Sequence, residues 1–552
     1  MNRSRTETII VIVLLLVAVV LLSLNFTSDE RDHEEDRTEV PEMETDTPSN
    51  SRVDGVGVAT DHPVATEIGM EVLDQGGNAA DAAVAISYAI SVLEPQASGI
   101  GGGGLMLVHA PEEQEPVAFD YRETAPNQNN KPDPGIGVPG FVRGMEKVNA
   151  NYGSQPIEDL MEPAIELAMD GVDVSYTLHT HLQNAYSHIE PQTADVFFPG
   201  GRAIEPGDPL VQEELGRTLK TIQEEGPGAF YHGPIGDRII TRIDGLGRED
   251  LAGYDVQVRH PVRATFAGMD VYAAPPPAGG TMLVHALQMA ERLSLDAWAD
   301  NPSEFIKRVG GIARTAYEDR VQTIGDPAFV DVPLTNILDS DYADNLAKEF
   351  LEDTGKDPLP EDMEGGETDG NTTHFVIVDE DGMMVSATNT LSSFFGSGIY
   401  MDGFFLNNQL DNFSASTTSP NRYEPGKRPI SYITPTIITA DGQPKIGIGS
   451  SGGRRITSTL TQVLVRHLLM DEPIEDAIEA NRSFYDFHSP TISVEGRIPP
   501  DVTESLEQEG YTVDHTKSAI YFGSVQSIVV DDEAGIITGG ADSRRGGEWD
   551  AH

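Results

Sequence analysis

The segment Asn371-Thr372-Thr373-His374-Phe375 could carry covalent chemistry in this 552-residue chain. A threonine hydroxyl is a poor nucleophile without a base at hand. Scission of the peptide bond before Thr372 would provide one. The Thr372 hydroxyl attacks the Asn371 carbonyl, water hydrolyses the resulting ester, and a free α-amine appears on the same residue. Such an amine has an ordinary pKa of about 7.7–8.0 and can accept the hydroxyl proton with no His or Asp partner. The products would be chains of 371 and 181 residues. This opens acyl transfer to a chain that has no cysteine. Read alone, the same five residues also suit an ordinary strand that follows the acidic, glycine-bearing loop 361–370, with His374 at its core or edge.

The elements around this segment have to position it. Val64, Ile68, Val72 and Leu73 share one helical face, and Gly76-Gly77 ends that helix. Asn78 can cap a second helix, with Asp81 near its start, that runs to Leu93 before Pro95. The second helix is apolar nearly all round, so it should be buried. Glycines 101–104 precede a strand over 105–109. They lack the Lys-Ser/Thr of a phosphate loop and read better as close backbone packing. Residues 375–379 and 384–389 alternate about the turn Glu380-Asp381-Gly382, and 524–530 with 536–538 form another hairpin. Helices mixed with antiparallel strands predict layered sheets covered by helices.

Composition sets the outer bounds. Hydrophobic residues are 38% of the chain, which excludes wholesale disorder. The 36 Lys and Arg against 90 Asp and Glu give a net charge of −54 and exclude a nucleic-acid binder. Ten of the acids lie in residues 29–46, so most belong to the body. Dense counter-ions would relieve the self-repulsion of such a surface, which reads as adaptation to high salt. Residues 9–24 are an almost unbroken apolar run behind Arg3 and Arg5. Residues 1–26 are expected to be a membrane anchor, or a signal segment if cut, with the body outside the cell membrane. Residues 27–53 read as an acidic, disordered tether. The 14 histidines are scattered without H-E-x-x-H spacing, so neither a metal nor a cofactor is expected.

Ten blocks in order, over about residues 54–547, give the chain its resemblance to a known family. They are GVGVATDHPVATEIGMEVLDQGGNAADAAVA, PQASGIGGGGLMLVHA, FDYRETAP, GVPGFV, PPPAGGTM, NTTHFVIVD, LNNQLDNFS, SYITPT, GSSGGRRI and ADSRRGG. The chain resembles the γ-glutamyltransferases, which include γ-glutamyltranspeptidases and cephalosporin acylases and are N-terminal-nucleophile hydrolases. The resemblance implies an α+β fold, a four-layer α/β/β/α sandwich formed by a large subunit (54–371) and a small subunit (372–552) cut from one precursor. It implies that Thr372 is the nucleophile, that Asn371-Thr372 is the cleavage site, and that Thr390 bonds the nucleophile. Gly452 and Gly453 match the oxyanion-hole pair, where glycine lets the main chain approach a developing charge. Arg122 and Ser431 match ligands of the substrate α-carboxylate, and Gln409 a ligand on the α-amino side.

The departures fall on the ammonium-binding side. Family transpeptidases commonly carry Asn, Asp and a second Ser where this chain has Ser392, Asn412 and Tyr432. Asn412 replaces a carboxylate with a neutral amide, and a charge-assisted bond is about twice as strong as a neutral one. The expected substrates are therefore γ-glutamyl amides such as glutathione, with amino acid, peptide or water as acceptor. Glutaryl amides or a γ-linked glutamate polymer are the alternatives on the same fold. A surface scaffold that never cleaves itself is a third reading, from a different class.

Overall fold

Helix α1 (Pro63–Asp74) begins with proline in its first turn, where a missing N–H costs nothing. The His62 ring caps it, Nδ1 accepting from the Val64 amide at 3.3 Å. In α2 (Ala79–Leu93) the expected cap is a reciprocal box. The Asn78 side chain accepts from the Asp81 amide, and the Asp81 carboxylate accepts from the Asn78 amide, both at 3.0 Å. Such a cap contributes about 1 kcal/mol. Every residue of α2 is buried, as its all-round apolar character requires. The computed structural model describes residues 55–189, 193–352, 371–532 and 534–552. The predicted anchor, tether and acidic loop 361–370 lie outside these residues. Among the described residues no helix is long and apolar enough to cross a membrane.

Two antiparallel sheets form the middle of the body. Their strands are β1 (Gly57–Thr60), β2 (Gly103–His109), β3 (Val117–Asp120), β4 (Gln257–Arg259), β5 (Val262–Phe266), β6 (Met269–Ala273), β7 (Asn371–Val378), β8 (Met384–Ser392), β9 (Thr436–Ala440), β10 (Gln443–Ser451), β11 (Ser524–Asp531), β12 (Ile536–Ala541) and β13 (Glu548–Ala551). The seven-stranded sheet runs β13-β1-β7-β8-β2-β3-β4, and the six-stranded sheet β12-β11-β10-β9-β6-β5. Both predicted hairpins, β7–β8 and β11–β12, are present.

Side chains on β7 alternate between two apolar layers, as the strand period demands. Val376 and Val378 point between the sheets, where they join Leu105, Leu107, Ile437 and Ile528. Phe375 and Ile377 point outward to a core shared with α1, α2 and α3 (Phe141–Tyr152). Helix α4 (Tyr176–Ala185) packs with Phe395 and Phe405 in a smaller cluster. The outer face of the second sheet is covered by α5 (Gly280–Arg292), α6 (Pro302–Thr323) and α7 (Ile456–Leu469). The order of layers is α/β/β/α, as the resemblance implies.

The glycine run does the packing expected of it. A β-carbon on Gly103 would lie 2.5 Å from the Tyr121 carbonyl oxygen, and one on Gly104 2.5 Å from that of Thr388. Strand β2 therefore starts inside the run, two residues earlier than its hydrophobic pattern suggests. Glycine there lets β8 sit between β2 and β7 and hold β7 near the middle of its sheet.

Candidate active site

Thr372 is the second residue of β7, and the register sets it directly opposite Thr390 on β8. Thr372 is only 4% exposed, and its hydroxyl has no hydrogen-bond partner among the described residues. In this uncut chain the Thr390 hydroxyl instead accepts from the Ser392 amide at 2.8 Å. A narrow cavity joins Thr372 to Thr390, Ser392, Gln409, Ser431, Tyr432 and Gly453. Asn412 reaches this group by donating from Nδ2 to the Ser392 hydroxyl at 3.3 Å, while its Oδ1 has no partner among the described residues. Gln409 donates to the Ile430 carbonyl at 3.5 Å, and its own carbonyl oxygen is likewise unsatisfied. Buried polar atoms usually find partners, so this concentration of unsatisfied oxygens suits a site that receives a polar ligand.

Backbone conformation marks the same place. Ser392 has φ +82, which is strained for a residue with a side chain. Gly452 and Gly453 have φ +130 and +58, and a β-carbon on Gly452 would meet the Gly523 Cα at 3.0 Å. Glycine is thus required for conformation and for space. The pair lies just before α7, whose N-terminal end adds partial positive charge where an oxyanion would form.

Arg122 is placed differently from the other predicted residues. It is fully buried on the large-subunit side and does not line the cavity around Thr372. Its fork closes on Asp120, with Nε to Oδ1 at 3.0 Å and Nη2 to Oδ2 at 2.8 Å. Burial works to raise the Asp120 carboxyl, but Arg122, Arg428 and Arg259 around it hold it well below the usual carboxylate range. Arg122 Nη1 also donates to the Pro429 carbonyl at 3.2 Å. Two residues further on, the Ser431 carbonyl accepts from Arg320, whose guanidinium lies 4.5 Å above the Tyr432 ring. Arg122, Gln409 and Arg320 therefore brace the segment 429–432 that carries Ser431 and Tyr432.

A buried polar group on the other flank of β7 escaped sequence reading. Asp61 Oδ2 accepts from the Thr373 hydroxyl at 3.3 Å and the His374 amide at 3.2 Å. Its Oδ1 accepts from Gln526 at 2.6 Å and from the Ser524 hydroxyl. Burial raises the Asp61 carboxyl even though Arg545 opposes the shift. Burial also pushes Glu94 up to about 8, with Asp61 adding to the effect and Thr373 and Arg545 opposing it. Burial lowers His374 to about 3, so its ring is neutral, with Nδ1 against the Thr388 hydroxyl at 2.9 Å. Thr373 is the only one of these partners adjacent to Thr372 in sequence. Asp61 and Gln526 are 465 positions apart, and no local pattern links them. Among the described residues no group of three or more His, Asp or Glu could hold a metal.

A four-layer sandwich with a threonine opening a central strand beside a glycine turn defines the N-terminal-nucleophile hydrolase class. Residues 65–551 match the family model for gamma-glutamyltranspeptidase, and the chain belongs to that family. Among curated relatives, the capsule biosynthesis protein CapD proenzyme of Bacillus anthracis is 41% identical over 493 residues, covering 89% of this chain and 90% of the relative. The glutathione hydrolase proenzyme of Bacillus subtilis (strain 168) is 34% identical over 532 residues, with 89% and 90% covered. Among solved structures, cephalosporin acylase from Bacillus halodurans superposes with a TM-score of 0.81 at 25% identity, over 95% of this chain and 99% of that one.

Proposed function

We propose that the protein cuts its own Asn371–Thr372 bond and then acts on γ-glutamyl amides such as glutathione through an ester on Thr372. The carrying observation is the buried, unpartnered Thr372 hydroxyl in a cavity shared with Thr390 and Gly453. In the mature enzyme the Thr372 α-amine would take the hydroxyl proton as Oγ1 bonds to the acyl carbon. That proton then goes to the leaving nitrogen as the C–N bond breaks. Gly452 and Gly453 would hold the transient oxyanion through their amides. Water, an amino acid or a peptide resolves the ester. Ser431 and Gln409 would contact the glutamyl head group, and Arg122 would add positive charge behind segment 429–432. The large (54–371) and small (372–552) subunits would stay together, since each contributes strands to both sheets. Residues 1–26 would tether the body to the outside of the cell membrane, and the acidic surface would suit high salt.

One observation favours a second reading of the substrate. Asn412 offers a neutral amide beside Ser392, and among the described residues no Asp or Glu lines the cavity around Thr372. Glutaryl amides, which carry no α-ammonium, would then compete with γ-glutamyl amides. A γ-linked glutamate polymer would enter as a γ-glutamyl donor. Denaturing electrophoresis with paired anilide assays tests the whole reading. Two fragments and turnover of γ-glutamyl or glutaryl anilide are expected. A single intact chain whose behaviour is unchanged by Thr372→Ala would point to a scaffold.

A further inference from the structure

A pocket of about 360 Å³ opens in the helical layer over the second sheet, between residues 299–306, the end of α7 and residues 481–498. It shares no lining residue with the cavity around Thr372. Helix α7 runs from one to the other. Ile456, its first residue, lines the cavity around Thr372, and Arg466 lines this pocket, about 15 Å further along at a rise of roughly 1.5 Å per residue. The volume lies within the range of roughly 300–1,000 Å³ that holds small ligands.

Its walls combine three kinds of group. Phe305, Ile306, Met470, Val494 and Ile498 give an apolar surface. Arg482 gives a fixed cation. It is 3% exposed, and its Nη atoms donate to the Ile478, Phe522 and Gly523 carbonyls and to the Asp542 carboxylate. Those bonds hold the guanidinium still, yet its Nε has no partner among the described residues. A buried N–H left open is costly unless a ligand accepts from it. Asp300 gives the opposite charge. It is exposed and has no ion pair among the described residues, whereas Glu472 on the same walls accepts from Arg466 at 2.9 Å.

We propose that this pocket binds a free α-amino acid with an apolar side chain, at a site apart from the one around Thr372. The ligand carboxylate accepts from Arg482 Nε, its ammonium faces Asp300, and its side chain packs against Ile306, Met470 and Ile498. An apolar acid without an amine leaves Asp300 unmatched, and an apolar amine without a carboxylate gives Arg482 no charged acceptor. Only the zwitterion with an apolar side chain uses all three kinds of wall. The site involves no covalent step and stands independently of the acyl-transfer reading above.

The test is calorimetry on the full-length protein at fixed salt, with no acyl donor present. It compares L-leucine with glycine, L-leucinamide and N-acetyl-L-leucine, which lack the side chain, the carboxylate and the ammonium in turn. Leucine should bind at least about tenfold more tightly than glycine, for the buried side chain, and than leucinamide, for the charged hydrogen bond. It should bind about fivefold more tightly than N-acetyl-leucine, the scale of an exposed ion pair. Asp300→Asn should abolish that last preference. Asn481→Asp, at an exposed lining position next to Arg482, sets a carboxylate against that of the ligand and should weaken leucine about tenfold. Neither substitution should alter turnover of γ-glutamyl anilide. Equal binding of the four compounds, or leucine binding that survives both substitutions, overturns the proposal. If the leucine preference holds but no γ-glutamyl anilide is turned over, the donor assignment fails and this site stands.

Discussion

The two flanks of β7 are built to opposite rules. Toward β8, the Thr372 hydroxyl sits with unsatisfied oxygens on Gln409 and Asn412 and a strained Ser392. Toward β1, Asp61 is fully engaged by Thr373, His374, Ser524 and Gln526. One flank leaves polar atoms open for a substrate. The other uses the Asp61 carboxylate to hold the strand, although Glu94 Oε2, His374 Nε2 and Gln526 Oε1 there also lack partners among the described residues. A nucleophile needs both, because a hydroxyl already bonded to the protein is not free to attack, and one on a loose strand is misplaced.

Removing the Thr372 hydroxyl breaks the comparison most completely. Thr372→Ala should leave the chain uncut and lower turnover roughly 10⁴-fold or more, read by electrophoresis and anilide hydrolysis, while the circular dichroism stays that of a folded protein. Gly453→Ala comes next. It places a side chain at φ +58 in the glycine turn and should lower kcat by about 10²–10³, the cost of one oxyanion donor. Asn412→Asp sharpens the open flank. It should move the ratio of γ-glutamyl to glutaryl anilide hydrolysis about tenfold toward γ-glutamyl, since a charge-assisted bond replaces a neutral one.

The smallest effect belongs to the closed flank. Glu94 is held at about 8 against an ordinary 4.5, so the folded state keeps a proton that the unfolded chain releases. The associated stability is complete below pH 4.5 and is lost as pH rises through about 8. Glu94→Gln cannot ionise, so its melting temperature should fall less between pH 6 and pH 9 than that of the unaltered protein. An equal fall in both would remove Glu94 from the closed flank.

Much of the open flank could be read from the sequence, because its residues lie in short compact blocks. Thr372, Gly452 and Gly453, and the Gln409 to Asn412 stretch each sit in one turn or strand start, and the fold brings Thr372, Gln409 and Gly453 to one cavity, with Asn412 bonded to Ser392 on its wall. The capping of α2 by Asn78 and Asp81 and the β7–β8 hairpin were legible for the same reason, since local chemistry decides them. Arg122 was legible as a carboxylate binder, but its nearest carboxylate is Asp120, two residues away. The closed flank was not legible. Asp61 follows β1 and reads as part of a helix start, Glu94 ends a buried helix, and Arg545 lies near the end of the chain. Only the sandwich brings them together around Thr373.

Mass spectrometry of the purified, active protein tests the central claim most directly. The account predicts a chain of 181 residues whose first residue is Thr372, with a free α-amine. Active protein in which position 372 is still joined to Asn371 would contradict it.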